Sequence, residues 1–86
     1  MKIQVTEEDI KNGVRHFCSS CPVALAIKKL YPAETWVSVS ARRVVIEETS
    51  YDLPEVAITF IQMFDKGQKV EPITFDLPLP DSLQSP

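Results

Sequence analysis

Cys18-Ser19-Ser20-Cys21, with His16 two residues upstream, is the densest cluster of soft ligands in this chain of 86 residues. Two thiolates and an imidazole suit zinc, but a structural zinc ion takes four tetrahedral ligands, and the chain holds no other cysteine or histidine. A complete shell on His16, Cys18 and Cys21 therefore needs an Asp, a Glu or a second subunit. The spacing also allows thiol chemistry, because a Cys-x-x-Cys at a helix start has its thiolate favoured by the helix dipole, and Pro22 marks such a start. A thioredoxin-like site would follow a strand, whereas here a charged segment of helical pattern precedes the motif and the proline follows the second cysteine. The third reading is packing, with both cysteines acting as small buried hydrophobes at a helix start.

Other chemistry is thinly supplied. His16 pairs with Cys18 only through a turn, which rarely sets a nucleophile against its base. Gly13 and Gly67 stand alone, so neither belongs to a phosphate-cradling loop, and no serine lies in a Gly-x-Ser-x-Gly elbow. No enzymatic activity, no catalytic residue and no cofactor other than zinc at the cysteine cluster is expected. What remains is recognition. Trp36 at a strand start, Arg42 and Arg43 at a hairpin tip, and the carboxylates of Glu47 and Glu48 are the candidates for contact with a partner.

The elements that must hold these residues follow from pattern and caps. Lys2 to Val5 alternates with Ile3 and Val5 on one face, as a half-buried strand does. Thr6 and Asp9 form a capping-box variant, Val5 and Ile10 stand at the staple positions, and Glu7, Glu8 and Asp9 fill the first turn of a helix with a left-handed exit at Asn12-Gly13, or a continuation toward Arg15. Pro22 opens a second helix with Val23, Ala26, Ile27 and Leu30 in a stripe, and Pro32 closes it after Tyr31. Trp36 to Ser40 alternates strictly, and Arg43 to Glu47 is β-branched; both read as strands joined at Ala41-Arg42, with Trp36, Ser38 and Ser40 on an outer, polar face. Asp52 caps a helix that ends at Gly67 and buries Leu53, Val56, Ala57, Phe60, Ile61 and Phe64. Ile73 to Leu77 is a last strand, and 78–86, with three prolines and no period, reads as a poorly ordered tail.

The order β-α-α-β-β-α-β predicts an α+β domain over 1–77, with a small, mainly antiparallel sheet of about four strands and two or three helices on one face. Composition agrees with one globular domain: 44% hydrophobic residues suffice for a core, and two cysteines are too few to staple a secreted miniprotein. No apolar run reaches the roughly 20 residues of a membrane span, and Glu7, Glu8 and Asp9 occupy the place of a signal peptide's apolar core, so a cytoplasmic protein with no membrane contact is expected. A formal net charge of −3 argues against nucleic acid as partner. The charge is uneven, with seven basic and four acidic residues in 1–43 and two basic and eight acidic in 44–86.

Cys18-x-x-Cys21-Pro22-Val23-Ala24-Leu25-Ala26, taken with Leu53-Pro54, Phe60-Ile61, Phe64-Asp65-x-Gly67 and Pro72-x-x-Phe75-x-Leu77, resembles a group of small uncharacterised proteins of bacteria and their viruses. The likeness covers most of residues 1–77 and brings no activity, cofactor or catalytic residue with it. It implies a small cytoplasmic protein, of bacterial or bacteriophage origin, that works by binding a larger host or viral protein. The expected function is thus a non-enzymatic protein-interaction module, an accessory protein or inhibitor, with unpaired edge strands through which a partner or a second copy would dock as a homodimer. The alternative is a metal- or thiol-dependent site at His16, Cys18 and Cys21.

Overall fold

Thr6 begins the first helix as its sequence requires. In the computed structural model, which describes residues 1–79, its hydroxyl accepts from the Asp9 amide at 3.2 Å while the Asp9 carboxylate accepts from the Thr6 amide at 3.0 Å. Strand β1 (Lys2–Val5) leads into this cap and helix α1 (Glu7–Asn12) follows it. Asp9 is 4% exposed, and Lys29 Nζ donates to its Oδ2 at 2.8 Å in an ion pair that ties α1 to the end of the next helix. The exit at Gly13 differs from expectation: its φ of −70° is extended rather than left-handed. Glycine is needed there for space, because a Cβ would stand 2.6 Å from Pro22 Cδ and Cγ.

Helix α2 (Pro22–Lys28) carries Pro22 at its first turn, and the Cys21 Sγ accepts from the Ala24 amide at 3.5 Å as its cap. It closes three residues before Tyr31, with tighter bonds from Leu30 to Ile27 and from Tyr31 to Lys28, since the residue before Pro32 is steered away from helical backbone. Strands β2 (Val37–Val39), β3 (Arg43–Ile46) and β4 (Thr49–Asp52) form one antiparallel sheet, and β1 pairs with β5 (Ile73–Asp76) in a second. Met1 and Leu77 exchange main-chain bonds of 2.7 and 3.0 Å and extend the second sheet by one pair.

The fold class is α+β, as expected, with three helices and five strands among the described residues. The single four-stranded sheet is replaced by sheets of two and three strands, because α2 lies between them and packs on both β1 and β2. Its buried side chains Val23, Ala24 and Ile27 meet Ile3 and Val5 on one side and Val37, Val44 and Ile46 on the other in one core. Burying each valine or isoleucine among these contributes about 1.5–3 kcal/mol.

Strand β4 is the unexpected element. Asp52, expected to cap a helix, instead pairs across from Arg43 at the end of β4, and the Leu53 amide donates to Arg42 O at 3.0 Å. Helix α3 (Glu55–Asp65) therefore starts later, from Pro54, with no side-chain cap. Its core face is Ala57, Phe60 and Ile61 with Ile58 added, Leu53 is buried just before it, Phe64 is only half-buried, and Val56 points to solvent at 45% exposure. Gly67 (φ 80°) ends it, its amide donating to Phe64 O and the Gln68 amide to Met63 O, the paired bonds of a Schellman exit. Of the segment 78–86 the structure describes Pro78 and Leu79; Leu79 is buried, and residues 80–86 lie outside the described residues.

Candidate functional site

The β2–β3–β4 sheet buries one face and offers the other. Val37, Val39, Val44 and Ile46 point into the core, and the alternate positions point out. Register sets the outer positions in three rows. Trp36 lies across from Glu47, Ser38 from Val45 and Ser50, and Ser40 from Arg43 and Asp52. With about 3.4 Å per residue, the first and third rows are roughly 13 Å apart.

Trp36 is the anchor of the first row. It is 52% exposed, yet its main chain is clamped at both ends: the Glu47 amide donates to Trp36 O at 2.9 Å, and the Trp36 amide donates to Glu47 Oε2 at 3.3 Å. Glu47 reaches both contacts because it adopts φ 57° as the first residue of the two-residue turn between β3 and β4. Such turns favour Gly, Asn or Asp, and a glutamate there carries roughly 1–2 kcal/mol of backbone strain. Glu48 completes the turn and is exposed, so two carboxylates stand at the indole's end of the sheet.

Arg42 and Arg43 occupy the other end, both exposed, in the tight Ala41-Arg42 turn closed by the Ser40 amide on Arg43 O at 2.8 Å. Arg43 Nε contacts Asp52 Oδ1 at 3.0 Å. Both side chains are well exposed, so this pair contributes little to stability. The five residues proposed for recognition thus divide into Trp36, Glu47 and Glu48 at one end and Arg42 and Arg43 at the other. Residues from β4, Ser50 and Asp52, join the same face; they were hidden because β4 was not read as a strand.

His16, Cys18 and Cys21 share a second place, an open hollow of about 230 Å3 walled by Phe17, Ser40, Ile61 and Asp65 among others. The turn that builds it is held by Val14 on Ser20 O, Ser20 on Phe17 O, and Val39 on Cys18 O, which fastens the cysteine loop to the edge of β2. His16 adopts φ 65°, and its amide donates to Asp65 Oδ1 at 3.1 Å; its imidazole Nδ1 stands 4.0 Å from Oδ2. Asp65 comes from α3, 49 residues away, and no local pattern marks it. Cys18 is exposed and Cys21 buried, and both are free thiols.

Burial pushes the Cys21 thiol above its ordinary value, against the pull of the Ala24 and Val23 amides, so at neutral pH Cys21 is a protonated cap and a poor nucleophile. Cys18 is the thiol that solvent reaches. Among the described residues no three His, Cys, Asp or Glu side chains gather closely enough to hold a metal ion, so His16, Cys18 and Cys21 line one hollow without forming a shell for zinc in this arrangement. A third feature was not read from the sequence at all. An apolar groove of about 510 Å3 runs between Val56, Thr59 and Met63 of α3 and the segment from Lys69 to Ile73. Among the described residues no helix is long and apolar enough to cross a membrane.

Compared with known proteins, the chain matches no family model, no curated protein and no solved structure.

Proposed function

We propose that this protein is a binding module without catalytic activity, which docks a cationic segment of a protein partner on the outer face of the β2–β3–β4 sheet. The observation that carries this reading is Trp36, half exposed while its main chain is clamped to Glu47. A backbone clamped in this way spares the main-chain part of the ordering cost on binding, and tryptophan is among the residues that concentrate binding energy at interfaces. The carboxylates of Glu47 and Glu48 beside it select for positive charge. A guanidinium laid on the indole gains about 0.5–1 kcal/mol at an exposed site and about 2 when desolvated.

Trp36 is the chain's single tryptophan, so its fluorescence reports on this site alone. Short arginine-containing peptides should quench or shift its emission in a salt-sensitive manner, and acidic peptides of equal length should leave it unchanged. Glu48→Lys should weaken the arginine response several-fold without altering the melting temperature, because Glu48 is exposed. An emission that ignores every peptide overturns the reading.

A further inference from the structure

We infer that β4 is an interface strand, whose open edge pairs antiparallel with β4 of a second copy of this chain about a two-fold axis normal to the sheet. The inference goes beyond the docking of a cationic segment and does not depend on it. Its support is the direction in which the main chain of β4 points. The Leu53 amide donates to Arg42 O directly across the ladder, so the alternate residues Ser50 and Asp52 turn their amides and carbonyls away from β3. Among the described residues no main-chain bond reaches either of them from that side. Such an edge is a template for another strand. At the opposite edge of the sheet the Val39 amide of β2 is already taken, donating to Cys18 O at 2.8 Å.

One register suits a second copy. Outward residues must lie opposite outward residues, so a one-residue slip is excluded. Ser50 against Ser50 sets Asp52 against Glu48, like charge on like. Asp52 against Asp52 repeats that fault and sets Ser50 against Pro54, which has no amide to give. Ser50 against Asp52 avoids both. Each such pair exchanges both of its main-chain bonds, and the Ser50 hydroxyl stands beside the Asp52 carboxylate of the second copy as a donor. The two Asp52 side chains then lie on a diagonal, roughly 7–8 Å apart, and each is met by its own Arg43 Nε at 3.0 Å. Glu48 falls opposite Pro54, past the end of the ladder.

Tyr51 stands on the axis in this register, opposite its own equivalent on the core side of the sheet. It is half-buried against the core and has ring surface left to cover, and directly opposed aromatic residues make a favourable cross-strand pair. The edges of β1 and β5 lack this. Their central core-facing residues, Ile3 and Phe75, are already 0% and 5% exposed. Pairing through β4 joins two three-stranded sheets into one, with the outer faces side by side and a Trp36 toward each far edge. A strand this short falls well below the roughly 20–30 residues a side of a standard interface, so the dimer is weak and concentration-dependent.

Substitutions at Ser50, which is exposed, test the edge and the register together. By sedimentation velocity between about 10 and about 500 µM, the full chain should dimerise progressively. Salt at about 0.5 M should not weaken the dimer, because main-chain bonds carry the contact and each copy has a net charge of −3. Ser50→Arg would face Asp52 of the second copy and should tighten the dimer several-fold, whereas Ser50→Glu should weaken it about tenfold or more. Ser50→Pro removes an outward amide and should leave a folded monomer by circular dichroism. Hydrogen exchange at the Ser50 and Asp52 amides should slow as concentration rises. A wild-type monomer across the whole range, weakening by both Ser50→Arg and Ser50→Glu, loss of the dimer in salt, or protection confined to β1 or β5 overturns the inference. A monomer whose Trp36 emission still shifts with arginine peptides overturns the pairing and leaves the docking face standing, so the two readings fail separately.

Discussion

Two cysteines three positions apart have opposite roles in this fold. Cys18 faces solvent on the wall of a hollow, and Cys21 is buried with its sulfur capping α2. The pH dependence of stability follows from burial. Because the Cys21 thiol is raised above 9.0 in the folded protein, its contribution is fully present below that value, where both states hold the proton. As pH climbs from 9 through the folded value, the unfolded chain releases the proton first and stability falls. Thermal melts of the wild type should therefore lose stability over this alkaline range by more than those of Cys21→Ala, which lacks the group; identical alkaline slopes would show that the thiol is not held protonated by its surroundings. Much at this scale was legible in advance. The alternation of Trp36, Ser38 and Ser40 placed the indole outward, and Thr6 with Asp9 announced its cap. The meeting of His16 with Asp65 and the left-handed Glu47 were not legible, because each depends on chain that the local pattern does not contain.

At the scale of elements, the signals that worked were those with a local cause: a capping box at Thr6, a proline at the start of α2, a glycine at the exit of α3. Strand β4 had none. Thr49-Ser50-Tyr51-Asp52 is polar, mostly exposed and lies on a sheet edge, so no buried face writes a period into its sequence, and Asp52 offered a persuasive helix cap in its place. Val56 was misplaced for a related reason: the stripe through it also fits helical spacing, and the neighbouring Ile58 takes the core position. Gly13 shows a different failure, where the residue was right and the reason was wrong. Its backbone is ordinary, and the demand comes from Pro22 across the α1–α2 junction. Gly13→Ala should therefore destabilise the protein by about 1–3 kcal/mol through overpacking, outweighing the smaller gain from a stiffer unfolded chain. Chemical denaturation measures it directly; a variant as stable as wild type would mean that Pro22 yields without cost.

At the scale of the whole molecule, the charge difference between the two halves of the sequence does not become a charged half of the structure. β1 pairs with β5, and β2 of the basic half pairs with Val44, Val45 and Ile46 of the acidic half, so the halves interleave. The charge reappears along a shorter axis, with Glu47 and Glu48 at one end of a three-stranded face and Arg42 and Arg43 at the other. On the proposed reading, that arrangement would make the face selective for charge, with Trp36 as its anchor. The apolar groove between α3 and the segment before β5 is the competing surface, since Val56 and Met63 are exposed on it, with Glu55, Lys69 and Glu71 at its rim.

The central claim is that recognition occurs on the outer face of β2–β3–β4. Amide and indole chemical-shift mapping by NMR, during titration with an arginine-containing peptide, tests it most directly because every surface is watched at once. The account predicts shifts confined to the Trp36 indole and the amides of Ser38, Val45, Glu47 and Glu48, fading as salt is raised. Shifts centred on Val56, Met63 and Ile73, or on the hollow beside Cys18, with the Trp36 signals unmoved, would contradict it.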